Sequence, residues 1–175
     1  MVYAVSLKIH HLIKKGGKAV FEIGDRVAYP MHGAGIVELI EEKEILGQLQ
    51  RYYVLRFALG GMKVMVPVEG KDIGLRAIIG KEEGMKVLEF LSQPCGEECD
   101  NWNRRYRENL EKMRTGSIFD TAEVVRALSH RDKEKGLSTG EKKMLSSAKQ
   151  ILASELILSL DMEEQDVLAR IEQAV

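Results

Sequence analysis

The chain has a single tryptophan, and it stands among arginines. Asn101-Trp-Asn-Arg-Arg-Tyr-Arg-Glu-Asn-Leu-Glu-Lys-Met-Arg114 sets five basic residues against two acids. Guanidinium groups hold phosphate oxygens, and an indole beside them can wedge against a base step from the minor groove. At helical spacing Tyr106, Leu110 and Met113 form the expected buried stripe, with Arg104, Arg105 and Arg107 spread over the other faces. Trp102 falls four residues before Tyr106, which leaves two fates open. It begins the core stripe, the usual place of a lone tryptophan, or it stands exposed next to the arginines.

The other chemistry-bearing residues form no catalytic constellation. His10, His11, His32 and His130 lack a nucleophile or carboxylate at motif spacing. Cys95 and Cys99 supply two thiolates where a structural zinc needs four ligands. The Gly60-Gly61 pair lacks the strand-to-helix context of a phosphate loop. These absences predict a protein that is no enzyme and takes no cofactor or metal. The longest apolar run, Ile151 to Leu160, is broken by Ser154 and Glu155, so no membrane span is expected. With two cysteines and no secretory pattern, the cytoplasm is the expected compartment.

A net charge of −1 hides a division along the chain. Residues 101 to 154 hold 12 Lys or Arg against 7 Asp or Glu, whereas residues 155 to 175 hold Arg170 against six acids. A basic stretch of that kind fits a polyanion-binding face or a merely solvated helix surface.

The elements that must position these residues fall into two groups. From Phe21 the pattern is that of strands: Arg26 to Pro30, Gly35 to Ile45, Arg51 to Phe57 and Met62 to Val66, ended by Pro67. Gly24-Asp25, Met31-His32-Gly33, Leu46-Gly47-Gln48 and Gly60-Gly61 read as the turns between them. Four or five short strands predict a small, bent sheet or half-open barrel of Tudor or SH3-like size. After Gly80 the period becomes helical, with Met85, Val87, Leu88 and Leu91 on a helix stopped by Gln93-Pro94. Pro94 to Asp100 reads as a linker. Asn101 caps the next helix, and Asp120-Thr-Ala-Glu123 and Ser138-Thr-Gly-Glu141 have the spacing of capping boxes for two more. A shorter amphipathic segment occupies residues 162 to 174. The fold class is α+β: a small Tudor-like β domain over residues 21–80, then a compact all-α domain over 81–175. Residues 1–20 fit neither. Gly16-Gly17 codons can spell a ribosome-binding site ahead of a start at Val20, so this stretch is either a mis-assigned start or a frayed basic arm.

Three stretches resemble the CarD/CdnL-type RNA polymerase-binding transcription regulators over nearly all of Phe21 to Asp161. They are Gly24-Asp25-x-Val27-x-Tyr29-Pro30-x-His32-Gly33, the helix opening Asn101-Trp-x-Arg-Arg-Tyr106, and Leu137-Ser-x-Gly-Glu-Lys142. The resemblance implies a Tudor-like polymerase-interacting domain joined to a helical DNA-binding domain, and a role in stabilising the open promoter complex. The family's wedge tryptophan falls on Trp102, at the upstream edge of the melted DNA. Its neighbours on the backbone are then Arg104, Arg105, Arg107 and Lys142, which tips Trp102 toward exposure. The resemblance also implies strand addition to the polymerase β subunit, here through Lys43, Glu44, Ile45 and Met65. Relatives often carry arginine where Lys43 and Met65 stand, and methionine offers no bidentate charge contact. The implied partners are RNA polymerase and promoter DNA read largely without regard to sequence, with the protein a monomer. The competing expectation is an adaptor that docks on polymerase without touching DNA, its tryptophan in the core.

Overall fold

The computed structural model describes residues 14–15, 18–19, 21–69, 74–96 and 101–175. Of the first 20 residues only the paired two-residue strands β1 (Lys14–Lys15) and β2 (Lys18–Ala19) are described, so the expectations about that stretch lie outside the described residues, as does Cys99. A five-stranded antiparallel sheet follows, built from β3 (Arg26–Tyr29), β4 (Gly33–Ile45), β5 (Gln48–Phe57), β6 (Lys63–Pro67) and β7 (Arg76–Ala77) in the order β6-β5-β4-β3-β7. Five helices complete the chain: α1 (Lys81–Leu91), α2 (Trp102–Arg114), α3 (Ile118–Glu134), α4 (Thr139–Leu160) and α5 (Glu164–Ala174). No described helix is long and apolar enough to cross a membrane.

The strands are not all short. β4 has 13 residues and β5 has 10, joined by a two-residue turn at Leu46 and Gly47 whose φ angles are both positive, 52° and 76°. Such a turn twists with the strands it joins, so the hairpin extends with its register kept. One face of the sheet buries Phe21, Val27, Val37, Tyr53, Leu55 and Val66. The Tyr53 hydroxyl accepts from the Phe21 backbone N–H at 3.1 Å, which ties Phe21 to the interior strand β5. A bulge between Val37 and Leu39 switches the parity of β4, so the outer half of the hairpin presents different faces from the inner half.

The helices surround α4. Its buried residues run from Met144 through Leu152 to Leu160, more than the one stripe expected from spacing, because α1, α3, α5 and the sheet each cover a side. The expected caps hold at Asn101, which accepts from the Arg104 N–H at 3.0 Å, and at Ser138, whose box with Glu141 opens α4. The other expected box does not: α3 starts earlier, with Ser117 as its cap accepting from the Asp120 N–H, so Asp120 lies in the first turn. On α1, Val87 and Leu91 are buried while Met85 is exposed, the buried face being completed by Gly84 where the helix crosses Ser159 and Leu160.

Sheet and helices are locked together by polar groups in apolar surroundings. Arg76 of β7 donates to both oxygens of Glu155 at 2.5 and 2.8 Å, and to the Gly116 carbonyl at 2.9 and 2.7 Å. Glu155 also accepts from the Ile79 N–H at 3.1 Å. The Ser154 hydroxyl accepts from the Ala34 N–H at 2.8 Å and donates to the Ile151 carbonyl. Gly33 permits that approach, since a Cβ there would stand 2.6 Å from Ser154 Oγ. Arg26 adds an ion pair to Asp161 at 2.6 Å.

Candidate nucleic-acid interface

Trp102 is the first residue of α2 and is 44% exposed. It neither starts the core stripe nor projects freely. The ring stacks on Tyr106, one turn on, with centroids 5.7 Å apart and planes inclined by 30°. Its Nε1–H donates to the Ser138 hydroxyl at 2.8 Å, so the ring spans from α2 to the first turn of α4. Tyr106 is half-buried beneath it.

The arginines that follow do not share one environment. Arg105 belongs to the interior, where it is 5% exposed and extends the buried line of Asn109 and Met113 at steps of four. Its Nε and Nη2 donate to Glu141 Oε1 at 2.8 and 2.6 Å. This corrects the expectation that Arg105 holds DNA phosphate. It also corrects the predicted stripe, because an i, i+4, i+8 line through Arg105 faces α4 while Tyr106 and Leu110 flank it. A guanidinium tolerates such a place only with a carboxylate partner. Arg104 is exposed and pairs with Glu108 at 2.7 Å. Arg107 and Lys142 are exposed, and neither has an ion pair among the described residues. Lys142 sits one turn after Ser138, its N–H donating to the Ser138 carbonyl, which places its charge on the helix end that the indole touches.

Glu141 is the hinge of this arrangement. Burial would raise its pKa, but the Ser138 hydroxyl, the Arg105 guanidinium and the Ser138 backbone N–H hold it below the usual carboxylate range. It is therefore ionised as the partner of Arg105. Ser138 and Glu141 read from the sequence as a helix cap only; the spacing that betrays the cap says nothing of the indole or of Arg105.

On the sheet, register sorts the four residues expected at the polymerase. Val54 lies between Leu39 and Met65 across β4, β5 and β6, and Lys43 and Ile45 fall on that same face by alternation. Lys43 Nζ lies 3.2 Å from Met65 Sδ, so the two residues meet, with Glu41 3.6 Å from the ammonium. Glu44 does not join them, because it is paired with Leu49 on the opposite face. The outer side of β6 has no partner strand among the described residues, which leaves a row of main-chain groups able to accept another strand.

Two family models match successive parts of the chain. Residues 21–79 match the family model described as CarD-like/TRCF RID domain, and residues 86–172 match the one described as CarD, C-terminal domain. A Bacillus subtilis (strain 168) protein named "Putative transcription factor YdeB" is 39% identical over 149 residues, which is 85% of this chain and 97% of that protein. The chain belongs to the CarD family. As a CarD-family transcription regulator it carries both family domains in family order. The five-stranded sheet and the five helices are what this CarD-like chain makes of them.

Proposed function

We propose that this protein docks on the β subunit of RNA polymerase through its sheet and steadies the open promoter complex by setting Trp102 against DNA at the upstream edge of the melted region. The observation that carries the reading is the indole: the one tryptophan lies at the surface, stacked on Tyr106 and tied to Ser138, with Arg104, Arg107 and Lys142 on the two helices it joins. Held there, the ring offers an apolar wedge to a base step while the cations take phosphates on either side. Arg105 has no part in that contact.

Docking uses the face that bears Lys43, Ile45 and Met65 together with the open edge of β6, in the manner of strand addition. Glu44, on the other face, contributes backbone alone. Polymerase supplies the position on the promoter, so the DNA contacts need little sequence preference. Tethering raises the effective concentration of DNA at the helical domain, and weak contacts then suffice. The protein works as a monomer in the cytoplasm, without cofactor or catalysis, its β domain over residues 21–80 and its helical domain over 81–175.

Burying the indole at an opened step needs to contribute only about 1–2 kcal/mol to shift the closed-to-open equilibrium roughly five- to thirtyfold. Trp102→Ala is accordingly expected to keep polymerase binding and to shorten the open-complex lifetime by that factor, measured as decay of promoter complexes against a competitor. Equal lifetimes for mutant and wild type, with polymerase still bound, would leave the adaptor without DNA contact as the better account.

A further inference from the structure

We infer that Ser138 is a positioning residue for the Trp102 indole, itself held by Glu141 and Arg105, so that the first turn of α4 determines how the ring is presented. This rests on the DNA-contacting reading given above. A hydroxyl has one proton to donate and two lone pairs. The Ser138 proton goes to Glu141 Oε2 at 2.8 Å, one lone pair takes the Glu141 N–H at 3.3 Å, and the other takes Trp102 Nε1–H at 2.8 Å. All three positions are filled. With its proton committed to the carboxylate, the oxygen can only accept toward the indole, whose nitrogen can only donate. Glu141 in turn is anchored by Arg105 from within the helical core.

The consequence for DNA is twofold. A tryptophan on the first turn of a helix would otherwise sample several rotamers and lose that freedom at every binding event. Here one bond on the nitrogen and one stack on Tyr106 fix it beforehand. Gly140 lies beside both rings: a Cβ built there would stand in ordinary contact, 3.5 Å from Tyr106 Cε2 and 4.0 Å from Trp102 Cζ2. The second consequence concerns specificity. A free indole N–H would seek the acceptors that bases present in the minor groove. With the N–H engaged by Ser138, the edge left for DNA is hydrocarbon, which suits contact at promoters of many sequences.

Because Trp102 is the only tryptophan, its fluorescence reports this site alone. Ser138→Ala should enlarge the fast component of indole anisotropy decay in the free protein and shorten open-complex lifetime by about two- to tenfold, the worth of one hydrogen bond. Ser138→Thr, which keeps both cap and acceptor, should restore both readouts. In a Trp102→Phe background, where no N–H remains, Ser138→Ala should change lifetime no further. The inference is overturned if Ser138→Ala leaves anisotropy and lifetime as in the wild type while Trp102→Ala shortens lifetime. It is equally overturned if the Ser138 and Trp102→Phe effects simply multiply, as a general loss of stability would. Should Trp102→Ala itself leave lifetime unchanged, the DNA-contacting reading fails, and the anisotropy of Ser138→Ala still decides the positioning.

Discussion

Arg104, Arg105 and Arg107 lie within four positions and meet three different surroundings. Arg107 faces solvent, Arg104 pairs with Glu108, and Arg105 is enclosed with Glu141. The hydrogen bond from Arg104 holds the Glu108 carboxyl below its usual range, in an exposed pair open to solvent. The enclosed pair is the one on which stability depends, because a guanidinium left without its carboxylate in the core is an uncompensated charge. Glu141→Gln should cost about 3–5 kcal/mol at neutral pH. The pH dependence has a definite sign. The folded pKa of Glu141 is lowered, so its contribution is whole above the ordinary carboxylate value of about 4.3 and fades as pH falls through the lowered one. Urea midpoints of wild type and Glu141→Gln should therefore differ by a constant amount from about pH 6 upward and converge in acid. A gap that persists unchanged to pH 3 would mean that the charge is not what Arg105 needs.

At the scale of elements, the β4–β5 hairpin departs most from what local rules favour. Leu46 has a φ of 52° and is 99% exposed, an apolar residue at a left-handed position with nothing to bury it. Two-residue turns of this type prefer asparagine followed by glycine, and Gly47 already satisfies the second position. Leu46→Asn is expected to raise stability by about 0.5–1 kcal/mol, since left-handed backbone costs a leucine roughly 1–2 kcal/mol. The urea midpoint reads the gain, and a lower midpoint would show that the leucine packs usefully at the tip. The hairpin also shows why the residues proposed for polymerase could not be grouped from spacing. Lys43, Glu44 and Ile45 are consecutive, but alternation puts Glu44 on the far face, and only the pairing of β5 with β6 brings Met65 across to Lys43.

At the scale of the whole molecule, the lock formed by Arg76, Glu155, Gly116 and Ile79 makes sheet and helices one body. It ties the surface proposed for polymerase to the helices that carry Trp102, so docking sets where the indole can reach. Arg76→Ala removes both hydrogen bonds to a buried carboxylate. With Arg76 about a third exposed, the expected cost is reduced from the fully buried case to about 2–3 kcal/mol. In the wild type, hydrogen exchange in β4 and β5 should report the same global opening as in α3 and α4. In Arg76→Ala the two should part, the strands opening first. Protection lost equally in both would mean that the lock contributes stability without coupling.

Much of this was open to reading from residues in order. Strand alternation, helical period and caps depend on neighbours a few positions apart, and so the α+β division, the hairpin turn at Leu46-Gly47 and the caps at Asn101 and Ser138 are determined by the sequence alone. Ser154 and Glu155 were visible as polar breaks in an apolar run, a sign of burial against a partner, but nothing local named Ala34 or Arg76 as that partner. Whether Arg105 served DNA or Glu141, and whether the indole lay inside or at the surface, depended on groups 36 residues away. Only the tertiary structure decided those, because a charge or a ring takes its role from what the fold brings against it, and that distance along the chain carries no periodic trace.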